Sequence, residues 1–207
     1  GSPMPNRRTL LLAGLITTTA ASTAFATPVL DAPAPAFQAL TAEGKPIQLA
    51  ELKGKTVVLE WTNHDCPYVR KHYGASNLQS QQKAATAQGV VWLQVISSAP
   101  GEQGHVDGPT ALKLNQSRGA AATAVLLDPK GEIGRAYAAK TTPHLFVIRP
   151  DGRLAYKGGI DSIASADAAD IAKAKQYVPA ALADVAAGRA VAEASTRPYG
   201  CSVKYAS

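Results

Sequence analysis

The chain has 207 residues, 46% of them hydrophobic and 17% charged, a composition sufficient for one domain around a single buried core. Its formal net charge of +6 is scattered along the chain with no Lys/Arg tract. It therefore favours solubility and gives no ground for a nucleic-acid or polyanion partner.

The N-terminus carries its own signal. Gly1-Ser2-Pro3 ahead of Met4 reads as an expression scar. Arg7-Arg8, the apolar run Leu10–Ile16 and a small-residue region ending Ala24-Phe25-Ala26 then follow the order of a secretory signal: charged start, short apolar stretch, A-x-A cleavage site. The run is too short and too rich in Thr to span a bilayer as a helix. Asn6-Arg7-Arg8-Thr9-Leu10-Leu11 also matches the twin-arginine export pattern. The expectation is a scar plus cleavable signal over residues 1–26 and one domain over 27–207. The protein would be exported, to the periplasm in a bacterium, with no membrane span left after cleavage. Cleavage would remove two of the 21 basic residues and none of the 15 acidic ones, leaving a net charge of +4.

A Pro/Ala-rich lead covers 27–36. Phe37–Leu40 and Ile47–Leu49 flank the turn Glu43-Gly44-Lys45 and read as a hairpin. Thr56–Trp61 is a β-branched run typical of a buried strand. A helix is expected from Pro67 to about Gln88, with Pro67 in the first turn, where its missing N–H costs nothing. Val90–Ile96 is a second buried strand, Thr110–Arg118 a helix, Ala124–Leu127 a strand and Ile133–Ala139 a short helix. His144–Ile148 and Leu154–Lys157 form a hairpin about Pro150-Asp151-Gly152. An alanine-rich helix over Ala166–Ala187, interrupted by Pro179, precedes the tail. Alternation followed by a hairpin predicts an α/β fold with a mixed central sheet and helices on both faces.

The two cysteines, Cys66 and Cys201, are candidates for one disulfide in an oxidising compartment. Cys66 sits where a buried strand hands over to a helix. The free N–H groups and macrodipole of a helix start favour thiolate over thiol. Arg70, one helical turn on, and the following Lys71 and His72 would add positive potential, with Asp65 opposing them. The position three residues after Cys66 is Val69, so no local dithiol exists, and a resolving thiol within the chain has to be Cys201. A helix over 166–187 would be about 33 Å long. The stretch from Gly188 to Cys201 can reach about 45 Å when extended, so the tail can fold back. Few large apolar residues follow Gly188, so the tail should loosen when a Cys66–Cys201 bridge is reduced. Thr142-Pro143 opens a strand, and a cis bond there would bend the chain into a site.

These features together resemble the thioredoxin-like superfamily over about residues 33–187: a strand ending in an aromatic, Cys-Pro at a helix start, Thr-Pro before a strand, and Pro150-Asp151-Gly152-Arg153. The segments Asn63–Tyr73 and Tyr199–Tyr205 are similar to peroxiredoxin-like redoxin (AhpC/TSA-type) proteins. The resemblance implies Cys66 as the attacking cysteine and Pro143 as the cis proline beside it. The peroxidatic P-x-x-x-T-x-x-C pattern is not reproduced, since Leu59 and Asn63 stand in place of its Pro and Thr.

The leading functional expectation is an exported thiol–disulfide oxidoreductase or peroxiredoxin-like enzyme. Cys66 would attack and Cys201 resolve, with Pro143 and Arg70 completing the site. The partners would be a disulfide-containing protein or a small thiol or peroxide, plus a separate reductant; no cofactor is required. Two alternatives stand beside it. Cys66 with His64, His72 and His144 could bind copper or zinc on the same fold. Otherwise the Cys66–Cys201 bridge is purely structural.

Overall fold

The computed structural model describes residues 1–3 and 26–207. The arginine pair, the apolar run and most of the A-x-A region read as a signal lie outside the described residues. Among the described residues no helix is long and apolar enough to cross a membrane.

In chain order the elements are β1 (Gln38–Thr41), β2 (Pro46–Gln48), β3 (Val57–Trp61), α1 (Pro67–Gly74), α2 (Asn77–Ala87), β4 (Val91–Ile96) and α3 (Gly108–Arg118). There follow β5 (Ala124–Leu127), α4 (Glu132–Ala136), β6 (Thr141–Thr142), β7 (His144–Ile148), β8 (Leu154–Gly158), α5 (Tyr177–Ala186) and β9 (Cys201–Ser202). β3, β4 and β7 are buried at every position, as strands covered on both faces must be. β3 runs parallel to β4 and antiparallel to β7, and β4 runs parallel to β5. The hairpin β1–β2 extends the sheet beyond β5 and β8 extends it beyond β7, giving the order β2-β1-β5-β4-β3-β7-β8. The mixed sheet expected from the alternation is present.

Strand periodicity divides the core. Val58, Trp92 and Val147 face α1, α2 and α5 through Val69, Leu78 and Val178. Leu59, Trp61 and Phe146 face the opposite layer, formed by α4 and by Phe37, Tyr137 and Val203.

Two helices differ from expectation. The helix expected over 67–88 is two, because Ser76 adopts a left-handed conformation (φ 57°) between α1 and α2. The buried Gln79 amide seals the break by donating to the Tyr73 carbonyl at 2.8 Å and the Arg118 carbonyl at 2.7 Å. The helix expected over 166–187 is a 3-10 turn, Ala168–Lys173, followed by α5. The chain bends between them because Ser162 and Lys175 exchange hydrogen bonds: the Ser162 amide donates to Lys175 O at 3.1 Å, and the Lys175 amide to Ser162 Oγ at 2.8 Å. Pro179 then falls in the first turn of α5, where its missing donor is harmless. The stretch the tail must retrace is therefore one ten-residue helix, about 15 Å rather than 33 Å.

Pro28 is an early anchor of the described lead, its carbonyl accepting from Lys157 Nζ at 2.8 Å. The Asp31 and Ala34 amides donate to Leu154 and Gly152 carbonyls at 2.8 and 2.9 Å, and the Leu154 amide returns a bond to Ala32 O at 2.9 Å. These bonds cover the open edge of β8. A chain starting at Thr27 should keep the melting temperature of the full chain to within about 2 °C, whereas one starting at Phe37 should lose at least about 4 °C, on a scale of about 2–4 °C per kcal/mol. Calorimetry on both truncations tests this, and a large loss in the first would count against the signal reading of residues 1–26.

Candidate active site

The end of β3 is fixed before the reactive segment begins. Trp61 Nε1 donates to Ser97 Oγ at 2.9 Å, and the Thr62 amide extends the pairing to Val95 O at 3.0 Å. Asn63 then turns the chain, its Oδ1 accepting the Asp65 amide at 2.9 Å and its carbonyl the Cys66 amide at 3.1 Å. Cys66 emerges as the N-cap of α1 in an extended conformation, with Pro67 in the first turn. Its side chain is fully buried.

Two further segments close on the Cys66 sulfur. The Thr142–Pro143 bond is cis, and the Thr142 carbonyl lies 3.2 Å from Cys66 Sγ. The tail returns as β9, antiparallel to β6, with Thr142 opposite Cys201 and Thr141 opposite Ser202. Gly200, at φ 137°, packs so closely that a Cβ there would collide with the Thr142 carbonyl. This geometry leaves Cys66 Sγ and Cys201 Sγ 2.6 Å apart, both as free thiols. The separation is short for unbonded sulfurs and about half an ångström beyond a disulfide bond.

The two thiols have opposite proton affinities. Burial alone would push Cys66 up, but the Cys201 thiol, Thr142 and the backbone amides of Val69 and Cys201 outweigh it and hold Cys66 below its ordinary value. Thr142 acts in two senses. Its carbonyl accepts from the protonated thiol, whereas its hydroxyl, buried with no hydrogen-bond partner, favours the thiolate. Burial and the neighbouring Cys66 push Cys201 up to about 11. Of the two thiols Cys66 is therefore the more acidic and gives up its proton first.

Arg70 does not contribute as expected. Its side chain is 64% exposed, and the guanidinium is engaged by Asp65 Oδ1 at 2.9 Å and the His64 carbonyl at 3.1 Å. Charge at that distance from the core is absorbed by a surface ion pair. The histidines do not gather at Cys66. His64 sits beside Asp65. His72 is buried, with Nδ1 against Asn77 Nδ2 at 2.9 Å and Nε2 against Tyr199 Oη at 3.1 Å. His144 Nδ1 accepts the Lys140 amide at 3.1 Å. Among the described residues no three His, Cys, Asp or Glu side chains converge as a metal-binding group.

The tail is also held far more firmly than its composition suggests. Tyr199 and Val203 are buried on either side of Cys201, and Tyr205 donates its hydroxyl to Ala139 O at 2.7 Å under the Arg135 guanidinium. Asn63, Thr142 and Tyr199 are the site residues that sequence reasoning passed over. Tyr199 stood within the C-terminal segment singled out for its resemblance, and a buried role for a Tyr two residues from a cysteine was the signal available there.

The sequence matches the AhpC/TSA family over residues 30–157, more than half of the chain. The chain belongs to the AhpC/TSA family. Membership supports a general redox role. No match was found among curated proteins. Among solved structures, an uncharacterized conserved protein from Geobacillus kaustophilus is similar at a TM-score of 0.72 and 22% identity, covering 86% of this chain and 93% of its own. A hypothetical protein from Sinorhizobium meliloti 1021 has a TM-score of 0.70 at 22% identity, with 88% and 97% covered. A putative thiol:disulfide interchange protein DsbE from Chlorobium tepidum has a TM-score of 0.52 at 23% identity, with 63% and 85% covered. The fold is thioredoxin-like.

In the reduced AhpC/TSA protein, alkylation by a small reagent, followed by mass spectrometry across pH, should show two steps. The Cys66 step should fall below the ordinary thiol value of 9.0 and the Cys201 step near 11; coincident steps would overturn the assignment. A second pH effect arises away from the sulfurs. Burial lowers His72 to about 4 and His144 to about 3, from 6.5. As pH falls below 6.5 the unfolded chain binds protons that the folded chain refuses until about pH 4 for His72 and about pH 3 for His144, so stability must fall across that window. Denaturant unfolding at pH 7, 5.5 and 4.5 should show the decline, approaching two protons per molecule; a flat profile would contradict it.

Proposed function

We propose that this protein is an exported thiol–disulfide oxidoreductase of peroxiredoxin-like type, working as a single domain from residue 27 after signal cleavage. It cycles between a Cys66 thiolate and a Cys66–Cys201 disulfide. The observation that carries this reading is the pair of sulfurs 2.6 Å apart at the start of α1 with oppositely displaced proton affinities. Export rests on the charged, apolar and A-x-A order of residues 7–26.

On a disulfide, the Cys66 thiolate attacks one sulfur, forming a mixed disulfide and releasing the other sulfur as a thiolate. That leaving group takes the Cys201 proton. Cys201 then attacks Cys66 Sγ, closing the internal bond and expelling the second substrate thiolate. On a peroxide, the Cys66 thiolate takes the terminal oxygen as a sulfenic acid and expels an alkoxide or hydroxide, which is protonated by solvent water. Condensation with the Cys201 thiol then releases water. In both cases the substrate gains two electrons and the cysteine pair loses two. Two external thiols restore the pair and leave as their own disulfide.

Access favours Cys201 in that return step. Cys66 is fully buried, Cys201 is partly exposed, and an open cleft lined by Thr141, Arg197, Tyr199 and Gly200 borders the tail. Cys66, the more acidic thiol, is also the better leaving group.

Cys66→Ser should abolish reaction with both a model disulfide and hydrogen peroxide. Cys201→Ser should leave the first step intact and accumulate a mixed disulfide or sulfenic acid on Cys66, visible by mass spectrometry. Full turnover by Cys201→Ser would sink the resolving role. An internal bond that forms but resists every thiol reductant short of unfolding would make the bridge structural.

A further inference from the structure

Behind the sulfur pair lies a cluster of charged and polar groups that the proposed reaction does not use. Lys71 and Asp161 side chains are both 0% exposed, with Lys71 Nζ 4.0 Å and His72 Nε2 3.8 Å from Asp161 Oδ2. At their centre is the Tyr199 hydroxyl. It donates to Asp161 Oδ1 at 2.6 Å, and Lys71 Nζ at 3.3 Å and His72 Nε2 at 3.1 Å lie on its lone pairs. Donor and acceptor roles are consistent throughout. Asn77 Nδ2 donates to His72 Nδ1, which leaves the proton of the neutral ring on Nε2, facing Tyr199. The tyrosine oxygen accepts twice and donates once, its full capacity. The Tyr199 ring also packs edge-on against Tyr68 of α1, with centroids 5.8 Å apart.

Resting on the reading of Cys66 and Cys201 as a redox pair, we propose that Tyr199 is a positioning residue: through Asp161, Lys71 and His72 it fastens the tail to α1 and so sets the effective concentration of the Cys201 thiol at Cys66. The argument is geometric. Cys66 caps α1, and Lys71 and His72 lie on that same helix, so one rigid element carries the attacking sulfur and the anchor of its partner. Tyr199 precedes Cys201 by two residues, with only Gly200 between them. A thiol on a flexible tether is present at millimolar effective concentration. A thiol fixed by a buried hydrogen-bonded network lies far above that. Phenylalanine at 199 would keep the ring but strip Asp161, Lys71 and His72 of their shared partner, which is costly for buried groups.

The experiment equilibrates the purified chain with reduced and oxidised glutathione and reads the Cys66–Cys201 equilibrium constant. Tyr199→Phe should lower it at least tenfold, a rise in potential of about 30 mV. The Cys66 alkylation profile, measured in a Cys201→Ser background, should stay the same with or without the substitution. Asp161→Asn should act in the same direction, and the double variant should lose less than the sum of the two. Asp161→Asn alone carries the test if Tyr199→Phe does not fold. Val57→Ala, a buried change on β3, controls for general destabilisation: it should lower the melting temperature and leave the constant alone. A wild-type constant in Tyr199→Phe, or an equal loss in Val57→Ala, overturns the positioning role while the redox reading stands. If the wild-type chain forms no internal bond, the redox reading itself fails, and this proposal with it.

Discussion

The Cys66 sulfur is fully buried and in the proposed cycle has to ionise, and much of the site's architecture answers that constraint. An uncompensated charge taken out of water costs several kcal/mol. The compensation at Cys66 comes from chain segments remote from one another: the first turn of α1, Thr142 before the cis proline, and the thiol and amide of Cys201. Two of those contributions belong to the tail. The returning strand therefore delivers a second thiol and also contributes to the charge state of the first. Coupling of this kind explains why β9, only two residues long, is flanked by buried Tyr199 on one side and buried Val203 on the other.

The fold was legible because its strongest signals are local and repetitive. Thr56–Trp61 and Val90–Ile96 are runs that only a doubly covered strand accommodates, and Glu43-Gly44-Lys45 and Pro150-Asp151-Gly152 are turns by composition. The position of Cys66 was legible for a similar reason, since Cys-Pro after a buried strand places a sulfur at a helix N-terminus whatever the rest of the chain does. The failures share a cause, which is that tertiary partners overrode local preference. No residue between Pro67 and Gln88 forbids one helix, yet buried Gln79 stabilises the break at Ser76 by capping carbonyls. Ala166–Ala187 has good helix propensity, yet the exchange between Ser162 and Lys175 bends it. Arg70 was placed on the right helix, but Asp65 competed for its charge, and helical spacing alone does not resolve such a competition.

The tail shows the same limit at the level of energetics. Counting apolar residues after Gly188 suggested weak attachment. Attachment is instead carried by polar groups: the Tyr199 hydroxyl among Asp161, Lys71 and His72, and the Tyr205 hydroxyl on Ala139 O. A buried ionic cluster of this sort is poor value as pure stabilisation, because well-packed apolar residues of the same volume usually do as well or better. Its advantage is directional. Hydrogen bonds fix the tail at one register along β6, a two-residue strand too short for an apolar pattern to specify it. A sulfur that must meet another within bonding distance needs the register more than the extra stability.

The same logic accounts for Val69. In a local dithiol site the partner cysteine would sit there, one helical turn from Cys66. Val69 is 1% exposed and packs into the cluster beneath α1, α2 and α5. Its side chain is committed to the core, so a sulfur on that turn would face inward, away from any external thiol. Bringing the partner from the tail places Cys201 on the open side of Cys66, beside the cleft at Thr141 and Gly200. That arrangement separates two demands that conflict when both cysteines share a helix turn. In the proposed cycle the sulfur that ionises remains in a buried, donor-rich setting, and the sulfur that would meet the outside remains partly exposed. The cost is a return path for the chain, a path shortened because the last helix is ten residues rather than twenty-two.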